Sequence, residues 1–252
     1  MNQFFQLLTL LFVLFTFVNC PEKKPNNNQG RIAAYGLFAI QCPVTQAPAI
    51  GSSSRTAIFF SNGCTPFAMG FSGLSATNVT AENNIGATGT STNSSIITNG
   101  DYKSGSEKKV NIEVTFQINA DDGYIDVSGN ATPSGTKPVG PTFRIKTTTM
   151  TAVNNSGVES AFTKGTVPQA GRNVQRVYCL EIHEESGAAH LFGWSKACNA
   201  LSSTERGSYE FEIPSFSSTN PGSRVGFILN KSSLRNVIIS GQIGTAGRLL
   251  SL

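Results

Sequence analysis

The sequence has 252 residues and a formal net charge of +4, and only 13% of its residues are Asp, Glu, Lys or Arg. Its polar character comes from small residues instead, because Ser, Thr, Asn and Gly number 28, 24, 21 and 25. This composition excludes a coiled coil, a helical bundle and a charged disordered chain, and the thinly spread positive charge offers no basic run that would follow a nucleic-acid backbone.

The first 19 residues have the character of a signal peptide. Residues 4–18 contain three polar residues and no charge, so the apolar segment of about 15 residues is short for a membrane span. It does not end in the small residues that an ordinary signal peptidase requires. The segment Phe17-Val18-Asn19-Cys20 instead resembles a lipobox. Phe17 and Asn19 depart from the strict bacterial pattern and resemble the relaxed lipoboxes of spirochaetal, especially leptospiral, surface lipoproteins.

This resemblance implies an acylated Cys20 after removal of residues 1–19. The lipid bilayer is then a partner, and the implied location is the outer membrane, lipid-anchored, on the cell-surface or the periplasmic face. Residues 20–30 contain no apolar residue larger than proline and are predicted to form a flexible tether. Residues 31–252 are left as a single β-sandwich domain.

Alternation of apolar and polar residues predicts strands through residues 31–252. Val110–Ile118 alternates throughout, which predicts one buried and one wet face, and the turn at 119–123 leads to a returning strand at 124–127. Residues 56–60 do not alternate, which predicts a strand buried on both faces. Further strands are predicted at 32–42, 142–153, 174–182, 209–213, 224–229 and 236–243.

About ten strands and at most one short helix, at residues 195–203, predict an all-β fold. An antiparallel β-sandwich or a jelly-roll-like fold fits this pattern. The polar residues 72–109 are predicted to be a surface loop or a pair of weak strands.

Five cysteines are present, an odd number for an exported chain. If Cys20 carries lipid, four remain and allow three pairings. The favoured pairing is between sequence neighbours, Cys42 with Cys64 and Cys179 with Cys198. Each pair closes a loop of about 20 residues, worth roughly 3 kcal/mol in the chain-entropy treatment.

The two histidines, His183 and His190, flank Ser186-Gly187. A hairpin there would place them opposite each other, with Glu185 nearby, as a zinc or copper site. The alternative is two surface histidines beside a turn. Carboxylates at Asp121, Asp122 and Asp126 suggest calcium in the same way, although a simple hairpin turn explains them equally.

Aromatic and acidic residues suggest carbohydrate chemistry. Trp194 and Tyr178 are candidates for a sugar-stacking platform, with burial in the core as the alternative. Glu181, Glu184 and Glu185 offer a glycosidase pair only in principle. No nucleophile-elbow, phosphate-binding or dinucleotide motif is present, and no cofactor is predicted.

The sequence therefore predicts a non-enzymatic, membrane-anchored envelope lipoprotein. The resemblance to spirochaetal surface lipoproteins implies an adhesin-like role towards host matrix or plasma proteins, with exposed loops as the contact surface. Two alternatives stay open. One is a carbohydrate-acting envelope hydrolase on a jelly-roll scaffold, and the other is a purely structural envelope protein.

Overall fold

The structure is a computed structural model that describes residues 42–50, 53–61, 64–100, 102–103, 109–240 and 242–243. These residues belong to one compact unit, Ile40–Leu252. The predicted signal peptide, Cys20, the tether and residues 32–41 of the first predicted strand lie outside the described residues.

Twenty strands, two short α-helices and one 3-10 helix make up the regular structure of the described residues. The strands of the first half are β1 (Val44–Ile50), β2 (Ser53–Phe59), β3 (Leu74–Thr77), β4 (Val79–Glu82), β5 (Gly86–Gly89), β6 (Ser95–Thr98), β7 (Tyr102–Lys103), β8 (Val110–Ile118), β9 (Tyr124–Ser134) and β10 (Lys137–Val139). Those of the second half are β11 (Thr142–Lys146), β12 (Met150–Val153), β13 (Glu159–Ala161), β14 (Lys164–Gly165), β15 (Gln175–Glu185), β16 (Ala188–Trp194), β17 (Phe211–Phe216), β18 (Arg224–Asn230), β19 (Ser232–Ser240) and β20 (Gln242–Ile243). The helices are α1 (Pro66–Phe71), the 3-10 helix Cys198–Ala200 and α2 (Ser203–Arg206).

Two antiparallel sheets confirm the predicted all-β class. The larger sheet has ten strands in the order β1-β2-β19-β8-β15-β16-β17-β14, with β4 and β5 attached beside β19. The smaller sheet has eight, in the order β13-β12-β11-β9-β18-β6-β3, with β10 attached to β9. Strands β7 and β20 pair with each other separately.

The core lies between the inner faces of the two sheets. Ile112 and Phe116 lie on the inner face of β8, and Ile112 pairs with Leu180 on the neighbouring strand β15. Val127 and Phe143 form a cross-strand pair in the smaller sheet. All five side chains are fully buried in one apolar cluster, and each contributes roughly 1.5–3 kcal/mol by leaving water.

The prediction of at most one short helix is wrong, because capping residues start a second one. Thr65 accepts a hydrogen bond from the Ala68 backbone N–H, and Pro66 occupies the first turn of α1, where its missing N–H costs nothing. Helix α2 begins at a capping box formed by Ser202 and Glu205. Within the described ranges, neither helix is long and apolar enough to cross a membrane.

The described residues of the segment 72–109 form more strands than predicted. They contribute β3 and β6 to the smaller sheet and β4 and β5 to the larger one. Strand β5 (Gly86–Gly89) is fully buried, and Thr88 shares a hydrogen bond of 2.9 Å with Ser233. The small residues of this segment are typical of loops in sequence, but in the structure they allow neighbouring backbones to pack closely.

The outer face of β8 is not exposed to solvent, although the alternation of its residues predicts that it would be. Glu113 and Thr115 point outward from the sandwich but are buried. Glu113 forms an ion pair of 2.8 Å with the equally buried Arg55 and accepts a hydrogen bond of 2.8 Å from the Cys198 backbone N–H. The outer face of the larger sheet is therefore covered at this point, and the cover comes from the connection between β16 and β17.

Candidate functional site

Strand register places a row of functional side chains across the outer face of the larger sheet. Asn111 on β8 pairs with Glu181 on β15, and Glu181 pairs with Phe192 on β16. Phe192 in turn pairs with Glu212 on β17. Because directly opposed residues in an antiparallel sheet point to the same face, these four side chains form one continuous row.

The connection 195–210 covers part of this face, and two contacts hold it there besides the hydrogen bond from the Cys198 backbone N–H to Glu113. One is the disulfide between Cys179 and Cys198. The other is the Trp194 indole, whose Nε1–H donates to the carbonyl oxygens of Glu205 at 2.9 Å and Ser208 at 3.2 Å. The connection thereby forms a wall above the sheet.

Three aromatic rings form the apolar side of the site. Tyr209 lies against Phe192, with ring centroids 3.9 Å apart and planes tilted by 32°. Trp194 contacts both rings at 5.7 Å. Phe192 and Trp194 are buried, whereas Tyr209 is 36% exposed, so Tyr209 presents the accessible aromatic surface at the rim.

Between the wall and the sheet lies a cavity of about 280 Å³, which we call the aromatic pocket. Its volume is close to the lower end of the range for small-molecule sites, which suits a ligand of single-ring size. It is lined by Lys109, Asn111, Cys179, Glu181, His183, Phe192, Trp194, Cys198, Leu201, Arg206 and Tyr209.

Glu181 is the electrostatic centre of the aromatic pocket. Its carboxylate accepts hydrogen bonds from Lys109 Nζ at 2.6 Å, from Asn111 Nδ2 at 2.6 Å and from His183 Nδ1 at 3.3 Å. Burial alone would raise the pKa of Glu181, but these hydrogen bonds outweigh it and hold the pKa below 4.5. The side chain is thus a fixed carboxylate at neutral pH.

A chain of side chains runs from Glu181 along the edge of the aromatic pocket. His183 Nε2 lies 3.2 Å from His190 Nδ1, and His190 Nε2 lies 3.0 Å from Glu212 Oε1. We call Glu181, His183, His190 and Glu212 the histidine chain. On its far side is a second, more open cavity of about 460 Å³, lined by Lys164, His183, Glu184, His190, Tyr209, Glu212 and Pro214.

The structure brings together two of the three predicted metal ligands. His183 and His190 form a cross-strand pair, as the hairpin prediction requires. In the part of the chain that the structure describes, no group of three or more His, Cys, Asp or Glu side chains is placed to hold a metal ion. The Glu185 side chain lies outside the described residues, so the three-residue metal site stays a prediction.

The three candidate calcium ligands do not share a site. Asp126 binds Arg144 on the smaller sheet. Asp121 pairs with Arg172 and Asp122 pairs with Lys231 in the turn after β8. Each carboxylate therefore has its own cationic partner.

Trp194 and Tyr178 lie on opposite faces of the sheet and form no common platform, and both are buried, as the core alternative predicts. Tyr178 lies on the inner face of β15, where it is buried and packs against Phe116. Trp194 pairs with Cys179 on the outer face. The aromatic partner that sequence reasoning missed is Tyr209, which lies in the connection before β17 rather than in the strand predicted at 209–213.

Both predicted disulfides are present. Cys42 and Cys64 are bonded, as are Cys179 and Cys198. The first joins the start of β1 to the entry of α1, and the second joins β15 to the wall of the aromatic pocket.

No known protein family matches the sequence, and no curated protein matches it. Among solved structures, the chain is similar to the carbohydrate recognition domain of Emp46p, with 15% identity over 69% of this chain and 90% of that one and a TM-score of 0.42. It is also similar to the carbohydrate-binding module CBM66 from Bacillus subtilis, with 12% identity, 68% and 93% coverage and a TM-score of 0.38. The galectin LEC-6 of Caenorhabditis elegans matches at 9% identity, 57% and 88% coverage and a TM-score of 0.32.

Proposed function

We propose that this chain is an envelope lipoprotein, anchored through an acylated Cys20, whose β-sandwich is a non-enzymatic module that binds saccharide in the aromatic pocket. An adhesin-like role towards glycosylated host matrix or plasma proteins follows from that binding. The cysteine pattern supports the anchor. The other four cysteines pair with one another, which leaves Cys20 available for lipid.

The aromatic pocket carries the binding part of the proposal, because its two sides differ in the way that the two surfaces of a sugar differ. A pyranose ring has an apolar C–H face and an edge of hydroxyl groups. The ring of Tyr209 offers a surface for the first. Asn111, Lys109 and Arg206 line the same pocket and offer hydrogen-bond donors for the second.

Binding fits the pocket better than hydrolysis does. A glycosidase of the usual type needs two carboxyl groups on either side of the scissile bond. Among the described residues that line the aromatic pocket, Glu181 is the only acidic one. Its carboxylate is already occupied by Lys109 and Asn111, and its lowered pKa is the opposite of what a general acid requires.

The binding proposal is tested by screening the purified full chain against a panel of neutral and acidic glycans and by titrating the hits. Tyr209→Ala should weaken binding by roughly tenfold, since an aromatic contact is worth about 0.5–1.5 kcal/mol beyond its buried area. Phe67→Ala is the matched control, because Phe67 is an exposed aromatic residue, 55% exposed, on α1. Equal affinity of both variants for a glycan would exclude the aromatic pocket as its site.

The anchor is tested by the mass of the mature N-terminal peptide. An acylated Cys20 adds the mass of its fatty chains, and Cys20→Ser should abolish both that mass and the recovery of the protein in the membrane fraction. Two or three acyl chains give durable anchoring, since each buried methylene contributes about 0.8 kcal/mol. An unmodified Cys20 in a soluble mature protein would refute the anchor but leave the binding proposal intact.

A further inference from the structure

We infer that the saccharide bound in the aromatic pocket is acidic, with a carboxylate on its ring that is received by Arg206 and Lys109. This inference rests on the proposed function and narrows its ligand class. Two features of the pocket lead to it: the charges that line it and the environment of Arg206.

The charges lining the aromatic pocket do not balance. Two cationic side chains, Lys109 and Arg206, face one carboxylate, Glu181. Glu181 is neutralised by its ion pair with Lys109, so the guanidinium charge of Arg206 is left over. A neutral sugar would leave this excess charge as it is, whereas a carboxylate on the ligand would complete the balance.

Arg206 is held in place without a negative partner. Its Nε donates to the Leu201 carbonyl oxygen at 3.3 Å, and one terminal nitrogen donates to the Cys198 carbonyl oxygen at 3.4 Å. These two contacts fix the guanidinium beside the disulfide, and in the described parts of the chain no carboxylate contacts it. Planar guanidinium groups bind carboxylates in a two-point arrangement, and a positioned Arg loses little entropy when it does so.

The ligand that fits these features is a hexuronic acid residue. Its C–H face would lie on Tyr209, its hydroxyl groups would reach Asn111, and its carboxylate would lie between Arg206 and Lys109. A carboxylate that replaces the CH₂OH of a neutral hexose changes little in size but supplies the missing negative charge. Charge, rather than shape, should therefore separate the two classes of sugar.

The test uses two glycosides that differ in this one group, methyl β-D-glucuronide and methyl β-D-glucoside, titrated against the full chain by calorimetry. We expect the glucuronide to bind at least about tenfold more tightly, because a hydrogen bond to a charged group is worth roughly 10- to 100-fold in affinity. Added salt should reduce binding of the glucuronide more than binding of the glucoside.

Arg206→Gln should lower the affinity for the glucuronide to that for the glucoside and leave the latter nearly unchanged. Lys109→Gln is the second variant, because it removes a pocket cation outside α2 and does not disturb that helix. Arg172→Gln is the control, since Arg172 pairs with Asp121 at the turn after β8.

Each outcome decides the inference. Preference for the glucuronide that is lost in Arg206→Gln and kept in Arg172→Gln supports it. Equal binding of both glycosides, or a preference that survives both pocket variants, overturns it while saccharide binding itself stands. Binding of neither glycoside, nor of any glycan in the wider panel, overturns this inference and the proposed function together.

Discussion

Both sheets carry charged and aromatic residues on their outer faces, and on the larger sheet such residues line the aromatic pocket. On the smaller sheet, Arg144 binds both carboxylate oxygens of Asp126 at 2.8 Å and also reaches Glu159 at 2.9 Å. Lys146 binds the other oxygen of Glu159 at 2.8 Å, and the Arg144 guanidinium lies 4.4 Å above the ring of Tyr124. These four charged side chains therefore neutralise one another within the smaller sheet.

The larger sheet differs because a connection covers part of its outer face and adds side chains to those of the strands. The wall 195–210 places Arg206 and Tyr209 over the sheet, where strand register alone would not bring them. Cross-strand pairs at close spacing satisfy one another and leave a closed surface. A covering connection held at a distance by large aromatic rings leaves space for a ligand.

The largest expected effect is a loss of stability when an ion pair of the smaller sheet is broken. Arg144→Met should reduce the free energy of unfolding by about 3–5 kcal/mol, because the Asp126 side chain, 3% exposed, would lose its partner. Urea denaturation measures the loss, and glycan affinity should not change. Arg172→Met is the control, since its pair with Asp121 is exposed and should cost no more than about 1 kcal/mol. A loss as small as in that control would show that the smaller sheet does not depend on this pairing.

The two disulfides offer a closer test, because they close loops of similar length. Their sequence separations are 19 for Cys179–Cys198 and 22 for Cys42–Cys64, so replacing either pair with serine should cost roughly 3 kcal/mol. Only the replacement of Cys179 and Cys198 should also abolish glycan binding, because it releases the wall of the aromatic pocket. If both replacements reduced glycan affinity equally, the wall would have no special part in the site.

The smallest effect is the response of the two faces to acid. Glu159 on the smaller sheet has its pKa lowered to about 2, because hydrogen bonds from Lys146, Arg144 and Thr151 outweigh desolvation by burial. The pKa of Glu181 is lowered below 4.5. A carboxyl group with a lowered pKa in the folded state stabilises it above the unfolded pKa of about 4.5, and this contribution is lost as the pH falls towards the folded value.

Glu159→Gln and Glu181→Gln should therefore be less stable than the unaltered protein at pH 7, and the difference should shrink as the pH falls below about 4.5. For Glu159 the loss should extend down to a pH of about 2. Thermal unfolding at a series of pH values measures both. A stability difference independent of pH would mean that shape, and not charge, accounts for the effect of the substitution.

Local pattern was a good guide to the strands and a poor guide to what covers them. The alternation in Val110–Ile118 correctly predicted strand β8 with its inner face in the core. It wrongly predicted that Glu113 would be wet, because its cover comes from Cys198 and Arg55, which are distant in sequence. The loop-like pattern of residues 72–100 misleads for a related reason, since their small side chains are favourable only against strands from elsewhere in the chain.

The amino-acid sequence by itself determined the all-β class, the neighbouring disulfide pairs and the meeting of His183 with His190, because each depends on local periodicity or on a short loop. Only the tertiary structure decided which side chains share the aromatic pocket. Lys109, Glu181 and Arg206 come from separate segments, and antiparallel register together with one disulfide-held connection places them around the same space. Spacing along the chain cannot encode that meeting, because it depends on which strands become neighbours in the sheet.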